Sequence, residues 1–219
     1  MATNVFERKE YSGNLVTPTV YNLTIGLVLC WGFFINWLMV KEIPPETITN
    51  LDFRLFFIGY FSTFFLGFYL FNHSDNSIVS FIGYNLVVIP FGSVVNIVVS
   101  RYDPALVIDA IRITGMVTLI MMLLGSMYPS FFQKIFNTLT ISLLIVIVVE
   151  LIEIFILGIH HGIIDWIVVI IFCGYIGYDW GRANNIPKTI DNAVDSAAAL
   201  YIDIINLFIR ILRILGKKR

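Results

Sequence analysis

Seven mostly apolar segments follow one another along the chain, and this pattern constrains the fold more than any other feature of the sequence. A helix that spans the hydrocarbon core of a bilayer needs about 20 such residues. Together the segments use most of the 219 residues, so no room remains for a soluble domain. They cover residues 20–40, 53–71, 78–99, 105–127, 135–157, 163–180 and 193–215.

The composition excludes the main classes of soluble protein. Charged residues make up 13% of the chain, against about 25% in a typical soluble domain. A net charge of −1 leaves no basic field for nucleic acid. Cys30 and Cys173 lie within apolar segments, which excludes a disulfide framework. We therefore predict an all-α polytopic membrane protein with a single domain over residues 1–219, including a polar segment at 1–18 and a basic tail at 216–219.

The last segment differs from the other six because polar residues recur along it at steps of three or four. This spacing places them on one stripe of a helix, and such a stripe needs water or polar partners inside a bundle. Within it we expect Asp195, Asn206 and Arg210 to line or bias an ion path. The stripe consists of Asp195, Ala199, Asp203, Asn206, Arg210, Arg213 and Lys217.

The sequence leaves two properties of this segment open. The stripe fits a helix inside the bundle or an amphipathic helix in the headgroup region, and the mid-segment position of Asp203 favours the interior. If all seven segments cross, the flanking lysines and arginines divide five to seven between the two sides. A re-entrant last segment makes the division nine to three and favours a cytoplasmic N-terminus.

The sixth segment carries a carboxylate between small residues. Gly177 and Gly181 form a GxxxG pattern around Asp179, and such glycines allow a second helix to approach closely. If that helix is the last one, Asp179 and Asp203 meet. Two carboxyl groups at low dielectric titrate as a unit. When one of them is protonated, the two groups share a hydrogen bond. When both are ionised, they repel each other and attract a cation. The alternative is two unrelated acids that reach different interfaces.

Other polar groups within the segments are further candidates. Asp109 and Arg112 are three residues apart and are expected to pair, with a path role for Asp109 as the alternative. Asparagines are expected to link helices by hydrogen bonds. Glu150 and Glu153 share a face and precede a turn with two histidines; this pattern fits an acidic mouth that attracts cations, a divalent metal site or a plain interfacial turn. The asparagines are Asn36, Asn85 and Asn96, and the turn carries His160, His161 and Asp165.

Residues 198–216, AALYIDIINLFIRILRILG, together with Tyr178-Asp179, resemble the closing signature of the Bax inhibitor-1 family. The resemblance implies seven transmembrane helices with the last helix central. It also implies a calcium leak that is gated by pH through paired aspartates, which by position are Asp179 and Asp203.

We therefore predict a pH-sensitive calcium leak without enzymatic activity, with no cofactor and with Ca²⁺, protons and lipid as its partners. One rival is an intramembrane aspartyl protease, but Asp203 lies in Tyr-Ile-Asp-Ile rather than Gly-x-Gly-Asp, and no Pro-Ala-Leu follows. Another is a non-conducting partner of a second membrane protein. The expected location is a bacterial plasma membrane, with several passes.

Overall fold

The computed structural model describes residues 14–158 and 162–216. Within these ranges the chain forms α-helices, one π-helical turn and no strand. The helices are α1 (Pro18–Glu42), α2 (Pro45–Thr49), α3 (Phe53–His73), α4 (Ser77–Val99), α5 (Pro104–Met127), α6 (Pro129–Ile152), α7 (Gly162–Asn185) and α8 (Ile190–Gly216), and the π-helical turn, Glu153–Leu157, follows α6 directly.

Each of the seven predicted segments forms a helix, which confirms an all-α polytopic membrane protein. Six helices of the described chain, α1 and α3 to α7, are long and apolar enough to cross a membrane. The polar stripe lowers the hydropathy of α8, but its 27 residues extend about 40 Å at about 1.5 Å per residue, which exceeds the hydrocarbon thickness. Helix α6 begins at Pro129 rather than at 135, because proline suits the first helical position.

Side-chain caps explain where several helices begin. The Thr17 hydroxyl accepts a hydrogen bond from the Val20 amide at the start of α1. The Asp52 carboxylate accepts from the amide of Leu55 in α3, and Asn76 acts similarly at the start of α4. These caps satisfy amides that have no partner within the first helical turn.

One compact unit comprises Met1–Asp103 and Asn185–Tyr201, and so contains α1 to α4 and the first half of α8. In it, α3 and α4 approach so closely that a Cβ atom on Gly67 would lie 2.5 Å from the carbonyl oxygen of Gly83. Glycine at both positions allows this contact, because any side chain would separate the two helices.

The asparagines that the sequence predicts to link helices do so within this unit. Their hydrogen bonds join α1 to α4 and α1 to α8, and they give the amide NH₂ groups of Asn36 and Asn96 partners that lipid would not supply. Within the part of the chain that the structure describes, the Oδ1 atoms of both residues are buried without a hydrogen-bond partner. Asn36 donates to the Tyr201 hydroxyl at 2.6 Å. Asn85 accepts from the Trp31 indole at 2.9 Å. Asn96 donates to the carbonyls of Met39 and Ile43 at 2.8 and 2.9 Å.

The other compact unit comprises Pro104–Asn184 and Ile202–Arg219, and so contains α5 to α7 and the second half of α8. The predicted close approach at Gly177 and Gly181 is present, but the approaching helix is α5 rather than α8. A Cβ atom on Gly125 of α5 would overlap the carbonyl group of Gly177, and one on Gly181 would lie 3.1 Å from the Gly125 carbonyl oxygen. The prediction of a single domain over residues 1–219 stays a prediction.

Candidate functional site

Asp179 of α7 and Asp203 of α8 meet within the second unit. The two side chains lie close enough to share a hydrogen bond. A hydrogen bond between two carboxyl groups requires a proton on one of them, because a carboxylate has no donor. Asp203 is the fourteenth of the 27 residues of α8 and is only 5% exposed, whereas Asp179 lies in the last third of α7 and is half-buried.

A positive charge and an aromatic side chain of α7 lie near this pair. Arg182, one helical turn beyond Asp179, acts electrostatically on that carboxyl group. Tyr175, one turn before it, lies within electrostatic range of both acids and donates a 3.1 Å hydrogen bond to the Thr140 hydroxyl of α6.

Asp195, a predicted path residue, lies in the first unit. It is 4% exposed and belongs to a buried polar cluster at the start of α8. In the same cluster the Ser80 hydroxyl donates to the Asp191 carboxylate at 2.7 Å. Lys188, in the loop before α8, lies 4.9 Å from the ring centre of Tyr21, and burial lowers the pKa of its ammonium group. The polar stripe is therefore buried within the first unit at this end of α8.

A second charged cluster joins three helices at the other end of α8. The Arg210 guanidinium makes two contacts with the Glu150 carboxylate of α6, one of them at 2.7 Å, and a third contact of 3.1 Å with Asp165 of α7. Arg213 lies 4.0 Å from the same Asp165 oxygen. The side chains of Glu150 and Arg210 are each 14% exposed, and that of Asp165 is fully buried.

The remaining predicted path residues occupy different environments. Glu153, at the start of the π-helical turn, is buried. Asn206 donates to the Ile202 carbonyl of its own helix at 2.8 Å. Asp109 and Arg112 form the predicted pair at 3.5 Å, with side chains 56% and 73% exposed, so they lie on the outer face of α5.

The sequence interpretation missed two acidic partners. Asp191 lies one turn before Asp195 and extends the same stripe, so its spacing was a usable signal. Asp165 was recognised as part of a turn but not as a partner of Arg210, which is 45 residues away in sequence. His160 and His161 lie outside the described residues. Among residues 14–158 and 162–216, no three His, Cys, Asp or Glu side chains are grouped to hold a metal ion.

Long apolar helices and a carboxyl pair shared by the last two helices define the class: an all-α, multi-pass integral membrane protein. The chain belongs to the family described as Inhibitor of apoptosis-promoting Bax1, whose sequence model matches residues 14–219. The resemblance that the closing signature indicated is thereby confirmed.

Individual relatives come from bacteria and a plant. An uncharacterized membrane protein of Vibrio cholerae serotype O1 is 27% identical over 216 residues, which cover 98% of this chain and 94% of that protein. An uncharacterized protein of Helicobacter pylori is 38% identical over 78 residues, covering 35% of this chain and 33% of that protein. A BI1-like protein of Arabidopsis thaliana is 50% identical over 48 residues, which cover 21% of this chain and 18% of that protein.

Proposed function

We propose that this protein is a pH-sensitive calcium leak whose gate is the Asp179–Asp203 pair. The observation that carries the proposal is the direct approach of two carboxyl groups on α7 and α8, with Asp203 buried at the middle of α8. Ionisable groups at membrane depth are costly and usually mark ion or proton pathways. Membership of the family is compatible with a channel role.

The gate works through the charge of the pair. At low pH a shared proton holds α7 against α8 through the hydrogen bond. As pH rises the pair loses this proton, and two negative charges in a low-dielectric site repel each other strongly. The helices then separate, and the carboxylates attract a cation. Arg182 and Tyr175 face the pair and modulate this equilibrium.

Calcium is the proposed permeant ion, because it accepts several oxygen ligands in flexible geometry. Carboxylates along α8 and near its two ends supply such oxygens, with Asp195 at one end and Glu150 at the other. A leak requires weak binding, so a dense cage of ligands is not needed. In this proposal the protein needs no resident cofactor and catalyses no reaction.

The proposed location is a bacterial plasma membrane. The long relative from Vibrio cholerae is a membrane protein of a bacterium, which supports this assignment. The partners are then the lipid bilayer, Ca²⁺ and protons.

Calcium flux into proteoliposomes, measured across pH, tests the gate. We expect wild-type flux to rise with pH by about fivefold or more, the low end of the usual coupling between two states. Asp179→Asn and Asp203→Asn are expected to keep flux low at every pH, because repulsion requires both charges. Asp75→Asn, at an exposed loop position, is the matched control. Unchanged flux with an unchanged pH response in both pair variants contradicts the gate.

An aspartate pair on neighbouring helices is also what an intramembrane aspartyl protease needs. The same variants separate the two functions. Cleavage of a transmembrane peptide by the wild type, lost in both Asn variants, favours the protease. A pure protein that passes no ions and cleaves no peptide favours a non-conducting partner.

A further inference from the structure

The Arg210 cluster is the second concentration of buried charge in the second unit, and the aspartate gate makes no use of it. It brings together Glu150 of α6, Asp165 of α7, and Arg210 and Arg213 of α8. The guanidinium fork of Arg210 occupies both oxygens of Glu150 and one oxygen of Asp165. Such two-point contacts are among the stronger charge-assisted hydrogen bonds.

The cluster is buried although it lies near the ends of its helices. Seven residues follow Glu150 before the π-helical turn ends at Leu157, a distance of about 10 Å along the helix. Phe155 and Ile156 on that turn are 70% and 75% exposed, as expected for side chains that contact lipid. A long arginine this near a membrane surface can extend its charge to the headgroups. Arg210 is instead 14% exposed and directed at two acids.

Stability alone is a weak reason for this arrangement. A buried ion pair gains little over apolar side chains of similar volume, because both charges lose their hydration. Ionisable groups kept at membrane depth more often serve ion or proton movement.

Helix α8 aligns this cluster with the aspartate pair. Arg210 lies seven residues beyond Asp203, which is two helical turns, so both side chains leave the same face of α8. Asn206 lies between them on that face. An ion that follows this face of α8 within the unit therefore meets the Glu150 and Asp165 oxygens at one end and the aspartate pair further in.

We propose that Arg210 is a tethered plug for this cation path: its guanidinium occupies the oxygens of Glu150 and Asp165 that a permeating Ca²⁺ would use. The inference rests on the proposed calcium leak and adds a second closure in series with the aspartate gate. Ca²⁺ prefers carboxylate oxygens. A cation cannot bind the oxygens of Glu150 and Asp165 while the Arg210 guanidinium is hydrogen-bonded to them. The path opens at this end when Arg210 leaves Glu150.

Calcium flux is the first test. Arg210→Gln is expected to raise flux about three- to tenfold at a pH where the aspartate gate is open, because it removes a fixed positive charge from the path. Arg210→Lys keeps one charge without the fork and should give an intermediate flux. Arg112→Gln removes an arginine from the exposed pair on α5 and is the matched control, with flux equal to wild type.

Calcium-dependent thermal stability in detergent is the second test, and it does not depend on conduction. Freed carboxylates should bind the ion, so the Tm of Arg210→Gln rises with Ca²⁺ concentration while that of wild type does not. The double variant Arg210→Gln/Glu150→Gln leaves no new uncompensated charge, and it should lose this response while keeping the raised flux. The double variant replaces Arg210→Gln in the flux measurement if Arg210→Gln fails to fold.

The outcomes separate the plug from the leak. If wild type passes no Ca²⁺ at any pH, the proposed leak fails, and the Tm response of Arg210→Gln still decides whether Arg210 occupies a cation site. If wild type conducts but the Arg210 variants show wild-type flux and no calcium-dependent Tm, the plug is wrong and the cluster only holds the helices together.

Discussion

At the scale of single residues, the interior polar side chains gain their stability from partners on other helices. A polar group placed in hydrocarbon without a partner costs several kcal/mol. Asn96 shows how the chain avoids this: its amide donates to the Met39 and Ile43 carbonyls, which close the last turn of α1. One side chain of α4 therefore both caps α1 and fixes its end against α4.

Replacement of Asn96 by alanine should destabilise the protein by about 1 kcal/mol, because the carbonyls of Met39 and Ile43 each lose a hydrogen bond. The measurement is thermal or denaturant unfolding in detergent. Asn85→Ala is the matched control on the same helix, since its contact with Trp31 is exposed, and we expect less than about half that loss. Equal losses in the two variants would show that the capping bonds contribute nothing specific.

At the scale of helices, glycines decide which helices touch. Gly125 of α5 lies against the backbone of Gly177 of α7, so a side chain on Gly125 would displace α7, while one on Gly177 would clash with the Phe132 ring of α6. On the same α5, nothing lies within 4 Å of a Cβ atom built on Gly115. Helix α5 thus carries one glycine that a neighbouring helix requires and one that only reduces helix propensity.

Gly125→Ala should destabilise the protein by about 1–3 kcal/mol through overpacking. Gly115→Ala should be neutral or stabilise it by up to about 1 kcal/mol, because alanine favours the helix. Unfolding midpoints of the two variants under the same detergent conditions provide the comparison. A Gly125→Ala protein as stable as Gly115→Ala would contradict the close contact between α5 and α7.

At the scale of the whole molecule, α8 is a single helix that contributes to both compact units. In the first unit its start lies beside the start of α1, where the Val16 amide donates to the Lys188 carbonyl. In the second unit its last turns reach Asp165, near the start of α7. Six crossings by the apolar helices would return the chain to the side of its N-terminus, so we predict that α8 runs from that side to the opposite side.

Cysteine accessibility checks this full crossing. In a chain without Cys30 and Cys173, cysteines at 103 and 216 should react with an impermeant thiol reagent from one side of the membrane. Cysteines at 75 and 184 should react only from the other side. Labelling at 216 from the same side as 75 would indicate a re-entrant last helix.

Hydropathy determined the positions of the long helices, because the cost of burying backbone and charge in lipid is local and can be read segment by segment. The five-residue α2 was missed, since so short a helix has no detectable periodicity. The aspartate pair was reached through spacing and a family signature. The sequence also indicated that Gly177 and Gly181 admit a neighbour.

The tertiary structure alone decided which neighbour that is and which charges meet. Helix α5 rather than α8 fills the glycine surface of α7, and Asp179 reaches Asp203 from a different face. Arg210 finds Glu150 and Asp165, which are 60 and 45 residues away in sequence. Local patterns specify that a buried charge needs a partner, but the partner depends on how helices rotate and pack, which is set by side-chain volumes throughout the bundle.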